Sequence, residues 1–549
     1  MRIGGRRQVD AVLLGLVALG AALRLTQYFA NTSLWLDEIF VAGNILHRSA
    51  WELLRWPLVY GQVAPKGFLL AEKLVTLSLG PSDYALRLFP LLCSLGALIG
   101  FWRLVRRFLD GYAAPVALVL FATAAPLVTF AAEVKQYSTD VAVAVFLLWL
   151  SVNLTGRDVS PRQALWAGTA GAVSVWFSQP AVIMVFALGA SLALVAWRTG
   201  SNPGSRRLLV LTPMLGMWTL SAVAALFNGL ASMSPHLREF MHQYWAGGLL
   251  PVPAWRALQI HWPWNQMKGL MGAEGQAGLA YPHPGYYLLL GGFGFWQLWR
   301  RVGVVVALLL VPIGITLAAA IARQYPFSDR LILFLVPCFL IAIAASVGWL
   351  QQRVASWSMW AGGLVCIALV GPAIYPMVAT PPPYQVEDMK PVMSHLRANW
   401  RPGDVVYLYD GATWPFRFYS RDYGFRDNDY TIGGCHRGDS RGDLEELDKF
   451  RGSKRVWVVI THALLYYHER DDILHYLDTI GVRRDSFVVP SHVVTHSALP
   501  AEVLLFDLSD SRRLSNATAE SISLMGDSSH HLQKGCDEGP PIMGPPRID

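Results

Sequence analysis

Long apolar runs separated by short polar segments dominate the first two thirds of the chain. Each run is about 20 residues long, the length at which an α-helix crosses the hydrocarbon core of a membrane. Eleven such runs begin near Ala11, Ala85, Ala113, Asp140, Ala164, Pro180, Leu208, Pro284, Val302, Leu331 and Trp357. The pattern therefore predicts a mainly α, polytopic membrane protein of about eleven transmembrane helices, spanning residues 1–378.

Arginines collect in alternate gaps between these runs. The five gaps hold Arg103, Arg106 and Arg107; Arg157 and Arg162; Arg198, Arg206 and Arg207; Arg300 and Arg301; and Arg353. Basic residues accumulate on the cytoplasmic side of membrane proteins. We therefore expect a cytoplasmic N-terminus on an uncleaved first helix, and outer positions for loops 30–84 and 229–283. An odd number of spans places the chain after Met377 outside as well, in a bacterium the periplasmic side of the inner membrane.

The pattern changes at residues 380–383 (TPPP), a stiff linker. The elements predicted beyond it are a helix at 386–399, strands at 404–409 and 455–460, a helix at 471–480 and a strand at 501–508. Alternating helices and strands indicate a small α/β domain, here residues 379–510. Residues 511–549 are rich in Ser, Asn, Gly and Pro, and little order is expected there.

Composition agrees with a membrane protein and narrows the function. Of the 549 residues, 15% are charged, whereas soluble domains carry about 25%. The net charge of +7 lies in the gaps between apolar runs, and no nucleic-acid motif accompanies it, so no nucleic-acid partner is predicted. Four histidines share one outer loop in a spacing that matches no ligand pattern, and no metal site is predicted. They are His236, His242, His261 and His283.

Two adjacent carboxylates, Asp37 and Glu38, follow the first apolar run in the sequence LWLDE (34–38). Ionisable residues at the edge of a membrane helix indicate a functional site. The flanking tryptophan and leucines predict a helix that lies at the interface, where a general base for a lipid-borne substrate would have to be. Glu38 is expected to orient its neighbour. The alternative is that both carboxylates simply face water in a loop.

Three further polar clusters fall on the predicted outer face. They contain Lys66 (62–66), then Glu133, Lys135, Gln136 and Tyr137 (133–140), and Arg330 (323–330). Lysine and arginine at the membrane surface suit a lipid phosphate, and arginine binds it in two-pronged fashion. The alternatives are that Lys66 and Arg330 are helix-end residues that snorkel to the interface, and that Glu133 and Lys135 are merely solvated.

The tail holds two cysteines, Cys435 and Cys536. Because the predicted topology places the tail in an oxidising compartment, we predict a disulfide between them. Two free thiols remain the alternative, since spacing alone does not establish a pair.

Four motifs in order along the membrane part carry a family resemblance. They are LWLDE (34–38), APKGFL (64–69), EVKQYSTD (133–140) and YPFSDR (325–330). Over residues 10–378 the chain resembles the large membrane glycosyltransferases of the GT-C fold. Within that group it is most similar to bacterial relatives of the dolichyl-phosphate-mannose protein mannosyltransferases and of the lipid A aminoarabinose transferase.

The resemblance implies transfer of a sugar, with inversion, from a polyprenyl-phosphate donor to a hydroxyl of a protein, lipid or polysaccharide. Asp37 matches the catalytic aspartate that deprotonates the acceptor, and Lys66 and Arg330 match positions near the donor phosphate. In one respect the chain departs from the pattern: aminoarabinose transferases have Glu directly before Lys-Pro, whereas Val63 precedes Ala64-Pro65-Lys66 here. No cofactor is firmly implied, and the use of a divalent metal stays open.

A polytopic transporter or flippase of lipid-linked glycans is the alternative function. It requires charged residues along a path through the spans, but apart from Arg24 the apolar runs carry charge mainly at their ends. The polar groups collect on one face instead, which favours chemistry at the membrane surface. A third hypothesis, an inactive scaffold, is disfavoured by the Asp37–Glu38 pair.

Overall fold

The computed structural model describes residues 3–156, 159–199, 203–259, 261–273, 275–436, 439–463, 468–494 and 500–519. The helices up to residue 379 are α1 (Ile3–Phe29), α2 (Leu36–His47), α3 (Ala50–Arg55), α4 (Lys66–Leu79), α5 (Asp83–Phe108), α6 (Ala113–Thr123), α7 (Ala125–Thr129), α8 (Tyr137–Asn153), α9 (Pro161–Ser174), α10 (Ala181–Thr199), α11 (Pro203–Ala231), α12 (Pro235–Tyr244), α13 (Arg256–Gln259), α14 (Trp262–Met271), α15 (Pro284–Val302), α16 (Ala307–Ile321), α17 (Val336–Ala355) and α18 (Met359–Ala379). Each of the eleven apolar runs begins in, or within a few residues of, one of these helices.

By length and composition, seven helical stretches in the described part of the chain can cross a membrane, or eight if the bent pair α6–α7 is one span. The difference from eleven has two sources. The helices α15 and α16 form a single apolar stretch of 38 residues, and α8 and α9 have only 17 and 14 residues. The chain is a multi-pass membrane protein, mainly helical, as predicted.

Buried polar groups connect the first membrane helices to one another. The Arg24 guanidinium of α1 is fully buried and donates to Ser94 Oγ of α5 at 2.8 Å and to the Ala122 carbonyl of α6 at 3.2 Å. A buried guanidinium is tolerated because its N–H groups have acceptors. The charge inside the first apolar run therefore joins three helices and lines no path.

The start of α2 is capped by the side chain of Glu38. Trp35 precedes the helix in an extended conformation, and its backbone N–H donates to Glu38 Oε2 at 3.2 Å. A carboxylate in this position satisfies a helix-terminal N–H that has no partner within the helix. This local geometry fixes Asp37 and Glu38 in the first turn of α2.

The tail folds into a three-layer α/β domain. Its elements are α19 (Met389–Asn399), β1 (Val405–Leu408), α20 (Thr413–Tyr419), β2 (Thr431–Ile432), α21 (Ser440–Asp448), β3 (Val456–Ile460), α22 (Glu469–Ile480), β4 (Val482–Val489) and β5 (Ala501–Asp507). The strand order is β2-β1-β3-β5-β4, with β2, β1 and β3 parallel and β5 antiparallel to both β3 and β4. Side chains of α19 and α20 pack on one face of the sheet and those of α21 and α22 on the other. The predicted α/β domain is confirmed, whereas β2, β4, α20 and α21 were not predicted.

The α/β domain contacts the loop that carries Asp37. The Ser33 hydroxyl donates to Asp388 Oδ1 at 2.6 Å, and the Leu34 N–H donates to the Tyr419 hydroxyl at 2.7 Å. Lys390 pairs with Asp83 at the start of α5 at 2.7 Å. The residues just before α2 are thus held from both sides, by membrane helices and by the tail.

Candidate active site

Asp37 is held between two cations that come from distant parts of the chain. Its Oδ2 lies 3.1 Å from an Arg330 guanidinium nitrogen and 3.5 Å from Lys135 Nζ. Lys135 lies in the turn before α8, and Arg330 in a short 3₁₀ segment, Asp329–Leu335, before α17. About a quarter of the Asp37 side chain (24%) is exposed, against 6% for Lys135 and 9% for Arg330. Three of the four predicted clusters therefore meet at one exposed carboxylate.

The cations determine the charge state of Asp37. Burial alone would raise its pKa, but the positive charges of Lys135 and Arg330 outweigh that effect and hold the pKa below the usual range. Opposite charges within a few ångströms favour the ionised form. Asp37 is therefore a carboxylate at neutral pH, as a proton acceptor must be.

Glu38 occupies a different environment although it is the next residue. Its side chain is 1% exposed. Its Oε1 accepts a hydrogen bond from Arg87 Nε at 3.2 Å, and its Oε2 accepts one from the Arg87 NH2 group at 2.9 Å. It also accepts the Val134 N–H at 2.8 Å in addition to the Trp35 N–H. With both oxygens engaged and no exposure, Glu38 positions the helix start and the turn at residue 134. The expected orienting role fits these contacts.

Arg330 lies between two aromatic rings. Its guanidinium carbon is 5.6 Å from the centroid of Tyr137 and 5.5 Å from that of Trp245, and it donates to Gln276. Within the described residues its Nε has no hydrogen-bond partner. At 8% exposure the side chain does not reach into water as a snorkelling arginine would. The aromatic rings fix its direction toward Asp37.

The remaining members of the 133–137 cluster are also buried. Lys135 Nζ donates to Gln62 Oε1 at 2.8 Å, and burial lowers its pKa while Asp37 opposes that change. Burial, together with the nearby Glu38 charge, raises the pKa of Glu133 to about 8, and Glu133 Oε2 has no hydrogen-bond partner in the described part of the chain. Gln136 is buried directly before α8. These side chains are not merely solvated.

Lys66 is placed differently from the other predicted cations. Its Nζ donates to the Leu53 carbonyl at 2.9 Å and to the Trp56 carbonyl at 3.4 Å, at the end of α3. Burial lowers its pKa. Its contacts among the described residues include neither Asp37 nor Arg330, so it supports the first loop rather than the charged cluster.

His462 and Glu387 belong to the site, although the sequence pattern did not single them out. The positive charge of His462 helps to lower the pKa of Asp37, and His462 Nδ1 lies 2.8 Å from Glu387 Oε1. His462 follows β3 at the carboxyl edge of parallel strands, where ligand-binding residues of open α/β sheets collect. The position of His462 just after a predicted strand was the sequence signal that could have identified it. Arg87 was missed too, although it is a charge within an apolar run.

The Asp37 cluster does not have the composition of a metal site. Two cations already neutralise the carboxylate, and in the described residues the one group of His, Cys, Asp or Glu with ligand spacing lies in the α/β domain. The cluster therefore fits an anion better than a cation.

The predicted disulfide lies in the tail. Cys435 is disulfide-bonded, but Cys536 lies outside the described residues, so the pairing of these two cysteines stays a prediction.

Comparison with solved structures finds membrane glycosyltransferase structures. One is the archaeal oligosaccharyltransferase AglB from Archaeoglobus fulgidus, in complex with an inhibitory peptide and a dolichol-phosphate. Its sequence identity to this chain is 12% and the TM-score is 0.43; the match covers 86% of this chain and 72% of the AglB chain. Another is ArnT from Cupriavidus metallidurans, bound to undecaprenyl phosphate. Its sequence identity to this chain is 14% and the TM-score is 0.43; the match covers 89% of this chain and 98% of the ArnT chain. No family model and no curated protein matches the sequence.

AglB and ArnT are GT-C-fold glycosyltransferases, so structural comparison finds the group of proteins that the four motifs resemble. The predicted resemblance is confirmed as a similarity. At TM-scores below 0.5, neither membership of that group nor an activity follows from it. The function proposed below is argued from the site itself.

Proposed function

We propose that this chain is an integral-membrane glycosyltransferase that moves a sugar from a polyprenyl-phosphate donor to an acceptor hydroxyl, with inversion. The observation that carries the proposal is the partly exposed Asp37 carboxylate held between buried Lys135 and Arg330. It combines a base with two phosphate-binding cations at the end of the membrane helices. The resemblance in four motifs points to the same chemistry.

Arg330 and Lys135 are the donor-phosphate ligands in this proposal. Without donor, both cations pair with Asp37; an arriving phosphate anion competes for them and leaves the carboxylate free to accept a proton. The Arg330 Nε, which has no hydrogen-bond partner in the described residues, is available to an additional oxygen. Positive groups placed where charge develops on the leaving phosphate stabilise the transition state.

The chemical step needs one base and one leaving group. Asp37 accepts the proton of the acceptor hydroxyl while that oxygen attacks the anomeric carbon from the face opposite the phosphate. The bond between the anomeric carbon and the phosphate oxygen breaks, and the lipid phosphate leaves with the electron pair. A positioned base of this kind contributes about 10²–10⁴-fold to the rate.

The reaction is assigned to the outer face of the membrane. The arginine-rich gaps support this side for Asp37, and the contacts of Asp388 and Tyr419 with residues 33 and 34 support the same side for the α/β domain. A phosphatase reporter fused after Ser509 should be active, and the same reporter fused at Arg353 should be inactive. The reverse result would move the site to the cytoplasmic face.

Purified full-length protein in detergent tests the activity itself. Incubated with a set of polyprenyl-phosphate sugars, it should release lipid phosphate by transfer or by slow hydrolysis, measured by phosphorus NMR. Reconstituted vesicles provide the contrasting measurement. Movement of lipid-linked sugar across the bilayer, without any cleavage of the donor, would support the flippase function and overturn the transferase proposal.

A further inference from the structure

A second group of ionisable side chains lies in the α/β domain, away from Asp37. His436 follows β2, and Asp443 and Glu446 lie one turn apart on α21. One ligand atom from each side chain lies within 4.8 Å of the others, and His436 Nε2 is 3.3 Å from Glu446 Oε1. Nothing in the proposed transfer reaction uses these residues.

Asp443 is the member of the group that its protein surroundings leave unsatisfied. Its relative exposure is 0%, and neither carboxylate oxygen has a hydrogen-bond partner in the described part of the chain. Burying a carboxylate without partners is strongly unfavourable, and such groups are normally paired or bound to a metal. One of these oxygens lies within 4.8 Å of the His436 and Glu446 ligand atoms.

The charge around Asp443 has the wrong sign for a carboxylate. Asp443 is fully buried, and Glu469, Glu446 and Asp410 bring further negative charge close to it. Like charges at short range repel one another. A bound cation would neutralise this excess of negative charge.

Glycines make room for the group. A Cβ at Gly442 would lie 2.1 Å from His436 Nδ1, and one at Gly434 would lie 2.8 Å from His436 Nε2. The Gly434 N–H also donates to Glu446 Oε2 at 3.0 Å, and the Tyr407 hydroxyl donates to the same oxygen at 2.9 Å. These hydrogen bonds orient Glu446 as partners of a metal-binding carboxylate do.

We propose that His436, Asp443 and Glu446 bind a divalent cation of the Zn²⁺ class. An imidazole nitrogen together with two carboxylate oxygens suits Zn²⁺, whereas Mg²⁺ and Ca²⁺ prefer oxygen ligands alone. Ligand atoms about 2.1 Å from one ion lie at most about 4.2 Å apart, so small side-chain rotations close the site. Water completes the coordination.

The ion would tie the segment after β2 to α21. Because β2 and β3 are both parallel to β1, His436 leaves the sheet at the same edge as His462, whose charge acts on Asp37. The site therefore stabilises the edge of the domain that covers the candidate active site. The alternative is a protonated Asp443 beside a His436–Glu446 ion pair, with no ion.

Titration of Zn²⁺ alone into tag-free, EDTA-treated full-length protein in detergent distinguishes the metal site from the metal-free alternative. Calorimetry should find one tight equivalent in the presence of excess Mg²⁺, and the Tm should rise on loading. Asp443→Asn and His436→Ala should each weaken binding at least a hundredfold. Glu445→Gln, on the exposed side of the same helix, is the matched control and should bind as the wild type does.

The measurement does not depend on transferase activity, since no sugar donor is present. Asp443→Asn removes an unpartnered buried carboxylate, so the metal-free variant should fold at least as well as the metal-free wild type. Loss of Zn²⁺ binding in that variant is then not a folding defect. The proposal would be overturned if the wild type took up no stoichiometric Zn²⁺, or if Asp443→Asn and His436→Ala each took up as much as the wild type does.

Discussion

Two charged clusters in this molecule have opposite charge balances. At Asp37, two buried cations surround one carboxylate that is partly exposed. At Asp443, carboxylates collect around a buried carboxylate with a single imidazole among its neighbours in the ligand group. A cluster with excess positive charge is suited to an anion, and one with excess negative charge to a cation. The two charge balances agree with the different ligands proposed for the two sites, a lipid phosphate for the first and a metal ion for the second.

The largest effect is expected from Asp37→Asn, which removes the base and keeps the volume. The rate of transfer should fall about 10²–10⁴-fold, with the protein still folded and inserted. The rate is measured as release of lipid phosphate at saturating donor. Glu239→Gln, an exposed residue of α12 in the outer loop, is the control and should leave turnover unchanged. Near-full turnover of Asp37→Asn would move the base to Glu133 or Glu38.

Replacing Glu38, the neighbouring carboxylate, should change the stability of the protein more than its catalytic rate constant. Glu38→Gln leaves Arg87 buried without its counter-charge, and breaking a buried ion pair costs about 3–5 kcal/mol. Thermal unfolding in detergent should show a larger loss of stability for Glu38→Gln than for Asp37→Asn, because the Asp37 carboxylate is partly exposed and the Glu38 carboxylate is not. Equal Tm values for the two variants would contradict the assignment of Glu38 as a positioning residue.

Arg330→Ala should act on donor affinity. Removing a two-pronged phosphate ligand is expected to raise the donor KM about tenfold or more, at least as much as it lowers kcat. Arg330→Lys should recover only part of this loss, because an ammonium lacks the planar fork. Arg238→Ala, on exposed α12, is the matched control. If the donor KM were unchanged in Arg330→Ala, the proposal that the Asp37 cluster binds the donor phosphate would be contradicted.

The smallest effect is expected from His462→Ala. Its positive charge contributes to the lowered pKa of Asp37, so its removal should raise that pKa. Activity rises as Asp37 ionises, and the acidic limb of the kcat/KM profile should therefore move to higher pH, by less than about one unit. His475→Ala, exposed on α22, should not move the limb. A shift to lower pH in His462→Ala would contradict this electrostatic influence of His462 on Asp37.

The sequence was most informative where the signal is local. Apolar runs located the helices, and the LWLDE motif located the carboxylates, because hydrophobicity and helix starts depend on neighbouring residues. Strand β2 was missed because it is two residues long and exposed, and β4 because its outer positions carry charges such as Arg483 and Arg484. The four polar clusters were each found, but the meeting of three of them at Asp37 depends on helix packing that no local pattern contains.

Residues that act through long-range contacts were harder to predict. Lys66 and Arg330 have similar positions beside apolar runs, yet one contacts backbone carbonyls of α3 and the other the Asp37 carboxylate. His462 comes from a different domain, more than 400 residues after Asp37. His436 lies in a glycine-rich segment whose partners on α21 become adjacent only after the chain turns.

The hydrogen bonds that residues 33 and 34 donate to Asp388 and Tyr419 have a practical consequence for handling the protein. They join the tail to residues that lie just before Asp37, the proposed base. A detergent or temperature that loosens the tail would displace Asp37 while the membrane helices keep their structure. Inactivation would then precede any loss of helical signal in circular dichroism, so a preparation that looks intact by spectroscopy can be catalytically silent.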